Sequence, residues 1–81
     1  MINVLFFAEV RERLGTASLT LDTHYQDVAA LRDALAARDE RWARALAPGK
    51  LLAAVNQTLV APDHPLNAGD EVAFFPPVTG G

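Results

Sequence analysis

The two most apolar segments of the chain lie near its two ends, and they constrain the fold more than any other feature. Met1–Ala8 is almost wholly apolar and rich in strand-forming residues, which predicts a strand with little solvent on either face. Glu71–Phe75 predicts a second such strand. Because the most apolar strands usually occupy the centre of a sheet, we expect these two to be neighbours there and to run parallel.

One strongly patterned helix is predicted between these strands. Asp27 is a good N-cap residue, because its carboxylate can accept the free N–H groups of the first helical turn. Val28, Leu31 and Leu35 then follow at helical spacing and mark one apolar face. The sequence therefore predicts a main helix over Val28–Ala37.

Shorter elements flank the main helix. Before the main helix, the patterns predict a turn or short helical connection at Glu9–Gly15 and a half-buried strand at Ser18–Leu21. After it, they predict a helical turn at Arg41–Ala47 that Pro48-Gly49 stops. A strand at Leu51–Val55, a turn at Asn56-Gln57 and a short strand at Thr58–Val60 follow. The first two strands should form an antiparallel hairpin. We expect the charged helical side chains, among them Arg32, Asp33 and Arg38, to form a solvated face.

This order of elements predicts an α+β domain of the β-grasp kind, a single mixed sheet with one main helix across one face. We assign residues 1–75 to this domain and residues 76–81 to an extended C-terminal tail. On folding, a chain of 81 residues buries roughly 60% of the surface that its unfolded form exposes. It therefore has no room for a deep active-site cleft.

The face of the sheet that the helix leaves uncovered is the first candidate for function. Period-two alternation puts Phe7 and Phe75 on the less apolar side of their strands, and Leu59 is a plausible companion on the short strand. Exposed aromatic patches of this kind mark interaction sites, so these three residues are candidate partner-binding residues. The alternative is that they are core residues beneath a loop.

The second candidate is the tail, Pro76-Pro77-Val78-Thr79-Gly80-Gly81. The prolines favour an extended, stiff exit from the domain, whereas the glycines let backbone pass close to a partner. At about 3.3 Å per residue, the stretch from Pro77 to Gly81 could reach on the order of 16 Å. The pattern indicates a reactive arm that carries the Gly81 carboxylate on a small carrier, the alternative being a frayed terminus without a role.

Composition excludes several other functions. The net charge is −3 and the seven cations are scattered, so the sequence does not predict nucleic-acid binding. No segment resembles a membrane span or a signal peptide, which leads us to expect a cytoplasmic protein. The chain has no Cys, and His24 and His64 lack zinc-ligand spacing, so we expect no metal site. The residues by themselves do not indicate a self-sufficient enzyme.

Four segments carry a resemblance to a known family. Val4–Ala8, Lys50–Gln57, Asp63–Leu66 and above all Gly69–Gly81 resemble the small, sulfur-carrier subunits of molybdopterin synthase, and the likeness covers the whole chain in order and length. The resemblance implies a ubiquitin-like β-grasp fold, in agreement with the element order.

The resemblance also implies a function. A ubiquitin-activating-type adenylyltransferase would use ATP to adenylate Gly81, and a sulfur donor enzyme would convert it to a thiocarboxylate. Gly80 would leave the reacting carbon unhindered, and residues Pro76, Pro77, Val78 and Thr79 would contact the partner. The large subunit, which holds the catalytic side chains, would transfer the sulfur to cyclic pyranopterin monophosphate within a heterotetramer, with no cofactor permanently bound to this chain.

Two rivals remain open at this point. One is a sulfur carrier of another pathway, such as the thiamine type, and the other is a ubiquitin-like protein modifier.

Overall fold

The computed structural model describes residues 1–47 and 51–77. Within these residues one mixed sheet has the strand order β2-β1-β5-β3-β4. The strands are β1 Ile2–Phe6, β2 Ser18–Leu21, β3 Leu52–Val55, β4 Thr58–Val60 and β5 Glu71–Phe75, and the helices are α1 Ala8–Leu14, α2 Val28–Ala36 and α3 Glu40–Ala45. The predicted α+β class and β-grasp arrangement are confirmed.

The two apolar strands lie together at the centre of the sheet, as predicted. β1 and β5 pair in parallel, with Val4 opposite Val72, and both of these side chains are fully buried. β1 also pairs antiparallel with β2, and β5 pairs antiparallel with β3. Since β5 is a central strand, the segment that follows it leaves from the middle of the sheet.

The main helix α2 has the predicted cap and the predicted buried face. The Asp27 carboxylate accepts a hydrogen bond of 2.8 Å from the Ala30 N–H, and Val28, Leu31 and Leu35 are buried. The helix ends one residue earlier than predicted, which is within the usual spread of helix boundaries.

The other helical predictions are confirmed in part. α1 is a full short helix with Val10 and Leu14 buried at i, i+4, and it ends at Gly15 in the left-handed conformation, φ 70°. α3 begins one residue earlier than expected, because the Asp39 carboxylate caps it by accepting from the Trp42 N–H at 3.0 Å. The predicted stop at Pro48-Gly49 lies outside the described residues.

The core fills the space between the helices and one face of the sheet. Phe6 and Phe74 stack at a centroid distance of 6.3 Å, and Trp42 packs edge-on against Phe6 at 5.6 Å. No polar or charged residue is buried within the described ranges 1–47 and 51–77. α3 therefore lies over the end of the sheet at which β5 finishes, because Phe6 and Phe74 are near the ends of their strands.

Two predictions about solvent exposure are wrong. β1 is buried on only one face, since Asn3 is exposed and Leu5 is half-buried. Arg32 does not point into solvent: its side chain is only 14% exposed, and it lines a recess beside the core together with Leu51 and Pro62. The aliphatic stem of an arginine can cover apolar surface in this way, and the helical pattern alone does not show it.

Candidate functional site

The sheet face opposite the helices presents a continuous apolar surface in the described part of the chain. Leu5 lies opposite Ala73, Ala73 opposite Ala54, and Ala54 opposite Leu59, so one row of apolar side chains crosses four strands. In the next row Phe75 lies opposite Leu52. We call these side chains, with Phe7, the outer patch: Leu5, Phe7, Leu52, Ala54, Leu59, Ala73 and Phe75.

The three residues singled out from the sequence are brought together on this face. Phe7 is 46% exposed and Leu59 is 63% exposed, whereas Phe75 is half-buried. The Phe7 N–H donates to the Phe74 carbonyl at 3.2 Å, which continues the β1–β5 pairing and places Phe7 alongside Phe75. Phe7 and Leu59 are thus surface residues rather than core, while their role in binding a partner stays a prediction.

Phe7 is positioned by a feature that the sequence did not signal. Ala8, the next residue, has a positive φ of 52°, in the left-handed region that non-glycine residues seldom adopt. This conformation turns the chain sharply from β1 into α1, and the Phe7 carbonyl accepts from the Val10 N–H at 3.2 Å. Phe7 is therefore held between a strand and a helix, and a glycine here would have been the usual signal for such a turn.

Leu59 is presented by a tight β-hairpin. Asn56 and Gln57, the predicted turn, both have positive φ values of 49° and 71°, as a type I′ turn requires. The Asn56 side chain donates to Asp70 at 3.0 Å and accepts from the Glu71 N–H at 3.0 Å. The hairpin is thereby fastened to the start of β5, which keeps Leu59 in line with the rest of the outer patch.

The Asp70 carboxylate is the charged acceptor in the hydrogen bonds that hold the hairpin against β5. Its carboxylate also accepts from the Asn67 N–H at 2.8 Å. The hydrogen bond from the Asn67 backbone, followed by that from the Asn56 side chain, lowers the pKa of Asp70 from its ordinary value. The polar end of the sheet face is thus ordered by hydrogen bonds, and the apolar end lies toward the tail.

The tail leaves the sheet beside the outer patch. Pro76 is half-buried and Pro77 is exposed, and both follow β5 directly. Together they form one wall of a groove of about 630 Å³ between α1 and the end of α3. Sequence reasoning did not find this groove, because its walls come from segments far apart in the chain.

The other predicted site residues belong to the end of the tail. Val78, Thr79, Gly80 and Gly81 lie outside the described residues, so their proposed roles, and the division at residue 75, stay predictions. Among the described residues, no group of three His, Asp or Glu side chains is arranged to hold a metal ion. In that same part of the chain, no helix has the length and apolarity that crossing a bilayer requires.

The fold and the outer patch define a class of protein: a small ubiquitin-like β-grasp domain with an apolar sheet face beside a C-terminal extension. The chain belongs to the ThiS family, whose sequence model matches residues 4–81. The resemblance to sulfur-carrier subunits of molybdopterin synthase is confirmed by two relatives of that name, which are 64% and 49% identical to the chain over its full length.

Relatives and solved structures agree with this assignment. The chain is 64% identical to the "molybdopterin synthase sulfur carrier subunit" of Escherichia coli K12 over 81 residues, all of both chains. It is similar to a chain in the "protein–protein complex of subunit 1 and 2 of molybdopterin-converting factor" from Helicobacter pylori 26695, with 26% identity, a TM-score of 0.69, and coverage of 99% and 97%. It is also similar to the "small archaeal modifier protein 1" of H. volcanii, with 25% identity, a TM-score of 0.74, and coverage of 95% and 97%.

Proposed function

We propose that this protein is the sulfur carrier of molybdenum cofactor biosynthesis and that Gly81 is its reactive C-terminal residue. The observation that carries the proposal is the full-length 64% identity to a relative named as the sulfur carrier subunit of molybdopterin synthase. The structure is compatible with this role, because a central strand leads directly into the tail beside an exposed apolar surface.

The proposed chemistry begins at the Gly81 carboxylate. A carboxylate is a poor electrophile, so one of its oxygens attacks the α-phosphate of ATP on an adenylyltransferase, and pyrophosphate leaves. Sulfur at the oxidation level of sulfide, released by a donor enzyme, then attacks the acyl carbon as AMP leaves, and the product is a thiocarboxylate. The absence of Cys means that no side-chain thiol of this chain can carry the sulfur.

The thiocarboxylate is the proposed sulfur donor for cyclic pyranopterin monophosphate. Its soft, anionic sulfur attacks a carbon of the pterin side chain within the large subunit and displaces an oxygen substituent. Water then hydrolyses the resulting thioester, which leaves the sulfur on the pterin and restores the Gly81 carboxylate, and two such transfers build the dithiolene. Gly80 and Gly81 place no side chain beside the reacting carbon. The catalytic side chains belong to the large subunit, and this chain supplies the sulfur and the docking surface.

Docking on the large subunit would use the outer patch and residues 76–79. The H. pylori complex of subunits 1 and 2 supports a partner of this kind. The exposed fractions of Phe7 and Leu59 make them the best candidates for apolar contacts, because their burial would release water from large side chains. A heterotetramer of two carriers and two large subunits in the cytoplasm completes the proposal.

The intact mass of the protein tests the central step. After incubation with the adenylyltransferase, ATP and a sulfur donor, we expect a gain equal to the exchange of one oxygen for one sulfur, localised to Gly81. A variant with one residue added after Gly81 is the control and should show no gain. Demonstrated adenylation without any gain of sulfur would contradict the proposal.

A second candidate is a protein modifier, which the similarity to the H. volcanii modifier protein favours. In that role Gly81 would be joined to lysine amines of other proteins instead of receiving sulfur. Isopeptide-linked adducts that form with ATP and disappear in a variant lacking Gly81 would support it. Conversion of cyclic pyranopterin monophosphate by the thiolated protein and the large subunit would favour the sulfur carrier.

A further inference from the structure

The groove at the root of the tail combines an apolar floor with a charged rim. Val10, Ala45 and Leu51 form part of the floor, and Pro76 and Pro77 form the wall on the tail side. The rim carries Arg13 and Arg44, with Glu9 beside them. A second recess that shares Arg13 and Arg44 adjoins the groove and is also lined by Arg41. Two guanidinium groups, those of Arg13 and Arg44, therefore line the groove together with Pro76 and Pro77, and Arg41 and Glu40 line the adjoining recess.

The positive rim contrasts with the rest of the molecule. The net charge of the chain is −3, yet five of its seven cations lie on α1, on α3 and in the connection before α3: Arg11, Arg13, Arg38, Arg41 and Arg44. Six of the ten acidic residues lie outside this region: Asp22, Asp27, Asp33, Asp63, Asp70 and Glu71. Although the cations are scattered along the sequence, this helical region carries five cations and four acidic residues, whereas the rest of the chain carries two cations and six acidic residues.

The ion pairs at the rim do not occupy the arginines fully. Arg13 pairs with Glu9 and Arg44 with Glu40, both at 2.6 Å and both at i, i+4 spacing. All four side chains are at least 55% exposed. Exposed helical pairs of this kind contribute only a few tenths of a kcal/mol, so an incoming carboxylate can exchange with the glutamates at little cost.

From this arrangement we propose that the groove binds an acidic segment of the large subunit, with carboxylates on the arginine rim and an apolar side chain on the floor. The inference rests on the proposed function, because it takes the large subunit as the protein that receives the tail. A partner that encloses the tail must pass over Pro76 and Pro77, and these residues are the wall of the groove. The groove therefore extends the proposed interface from the outer patch to the other side of the tail.

The expected consequence is electrostatic steering. Charges at the rim of an interface act mainly on the association rate and on its salt dependence, and they act less on the dissociation rate. Arg13 and Arg44 would guide the carrier so that the tail meets the partner in the correct orientation. The outer patch would then supply most of the apolar burial.

A charge-reversal pair tests the proposal. R13E/R44E is compared with R11E/R38E, which changes the net charge equally but alters arginines that do not line the groove. Association and dissociation rates with the large subunit are measured at low and high ionic strength, after circular dichroism has shown that both variants are folded. We expect R13E/R44E to lower the association rate by about tenfold or more at low salt, with the difference shrinking at high salt. R11E/R38E should change the association rate by less than about threefold, because those side chains do not line the groove.

Four results would overturn the proposal. Equal losses in the two variants would indicate a general effect of net charge, and unchanged association of R13E/R44E would remove the role of the groove. A shift of the Val78–Gly81 NMR signals in free R13E/R44E, with unchanged partner binding, would assign the groove to this chain's own tail. A change only in self-association, measured by ultracentrifugation, would assign it to a second copy. Failure of the proposed function is distinguishable, because the unaltered protein would then transfer no sulfur.

Discussion

Leu59 offers the sharpest test of the outer patch, because it can be altered with little effect on the fold. It is 63% exposed and lies on the edge strand β4, at the end of the row formed by Leu5, Ala73 and Ala54. Replacement of Leu59 by Ala should leave the free energy of unfolding within about 0.5 kcal/mol of the original value, as is usual for surface substitutions.

The expected effect on binding can be worked from the exposed fraction. Burying a leucine side chain completely contributes about 1.5–3 kcal/mol, so burying the fraction that is still exposed contributes roughly 1–2 kcal/mol. Leu59→Ala should therefore weaken binding to the large subunit by about five- to thirtyfold. Leu59→Asp should weaken it further, because a carboxylate would have to lose water in an apolar contact.

The assay is isothermal titration of the large subunit with each variant, accompanied by urea unfolding of the free carrier. Thr20→Asp is the matched control, since Thr20 is exposed on the opposite edge strand and lies across from Asn3, outside the outer patch. Binding of Leu59→Asp that equals that of Thr20→Asp would refute the assignment of the outer patch as the docking surface. A large loss of stability in Leu59→Ala would show instead that Leu59 belongs to the core.

Two further predictions concern stability. Gln57→Gly should raise the free energy of unfolding in urea by about 0.5–1 kcal/mol, because a residue with a side chain is strained at φ 71° and glycine is not. Gln57→Ala is the control and should give no such gain. Equal effects of the two substitutions would exclude backbone strain as the cause. Asp70 has a folded-state pKa below its ordinary value, so its contribution to stability is present above about pH 4 and is lost as the pH falls through the folded-state pKa. Asp70→Asn should therefore flatten the decline of stability in acid, and an unchanged pH profile would contradict this reading of the hydrogen bonds.

The helices and strands could be predicted from the sequence because each depends on local pattern. The Asp27 cap and the spacing of Val28, Leu31 and Leu35 determine α2 with no knowledge of its partner. The central pairing of β1 with β5 was also predictable, since their apolar character indicates burial. The outward direction of Phe7 and Phe75 followed from period-two alternation.

The structural features that the sequence did not predict depend on contacts between residues that are distant in sequence. Arg32 was assigned to solvent by helical pattern, but its side chain is only 14% exposed, in a recess that Leu51 and Pro62 line from another part of the chain. Ala8 gave no sign of its positive φ, because that conformation is imposed by the strand and helix that it joins.

The candidate site likewise has one part that the sequence predicted and another part that only the structure revealed. The sequence by itself determined the family and predicted a reactive role for the tail, because both depend on motifs of consecutive residues. Only the tertiary structure aligned Leu59 with Ala54 and Ala73, and only it brought Arg13 and Arg44 together beside Pro76. A local pattern specifies which way a side chain points on its own strand or helix, whereas a surface exists only after packing has set the distances between elements.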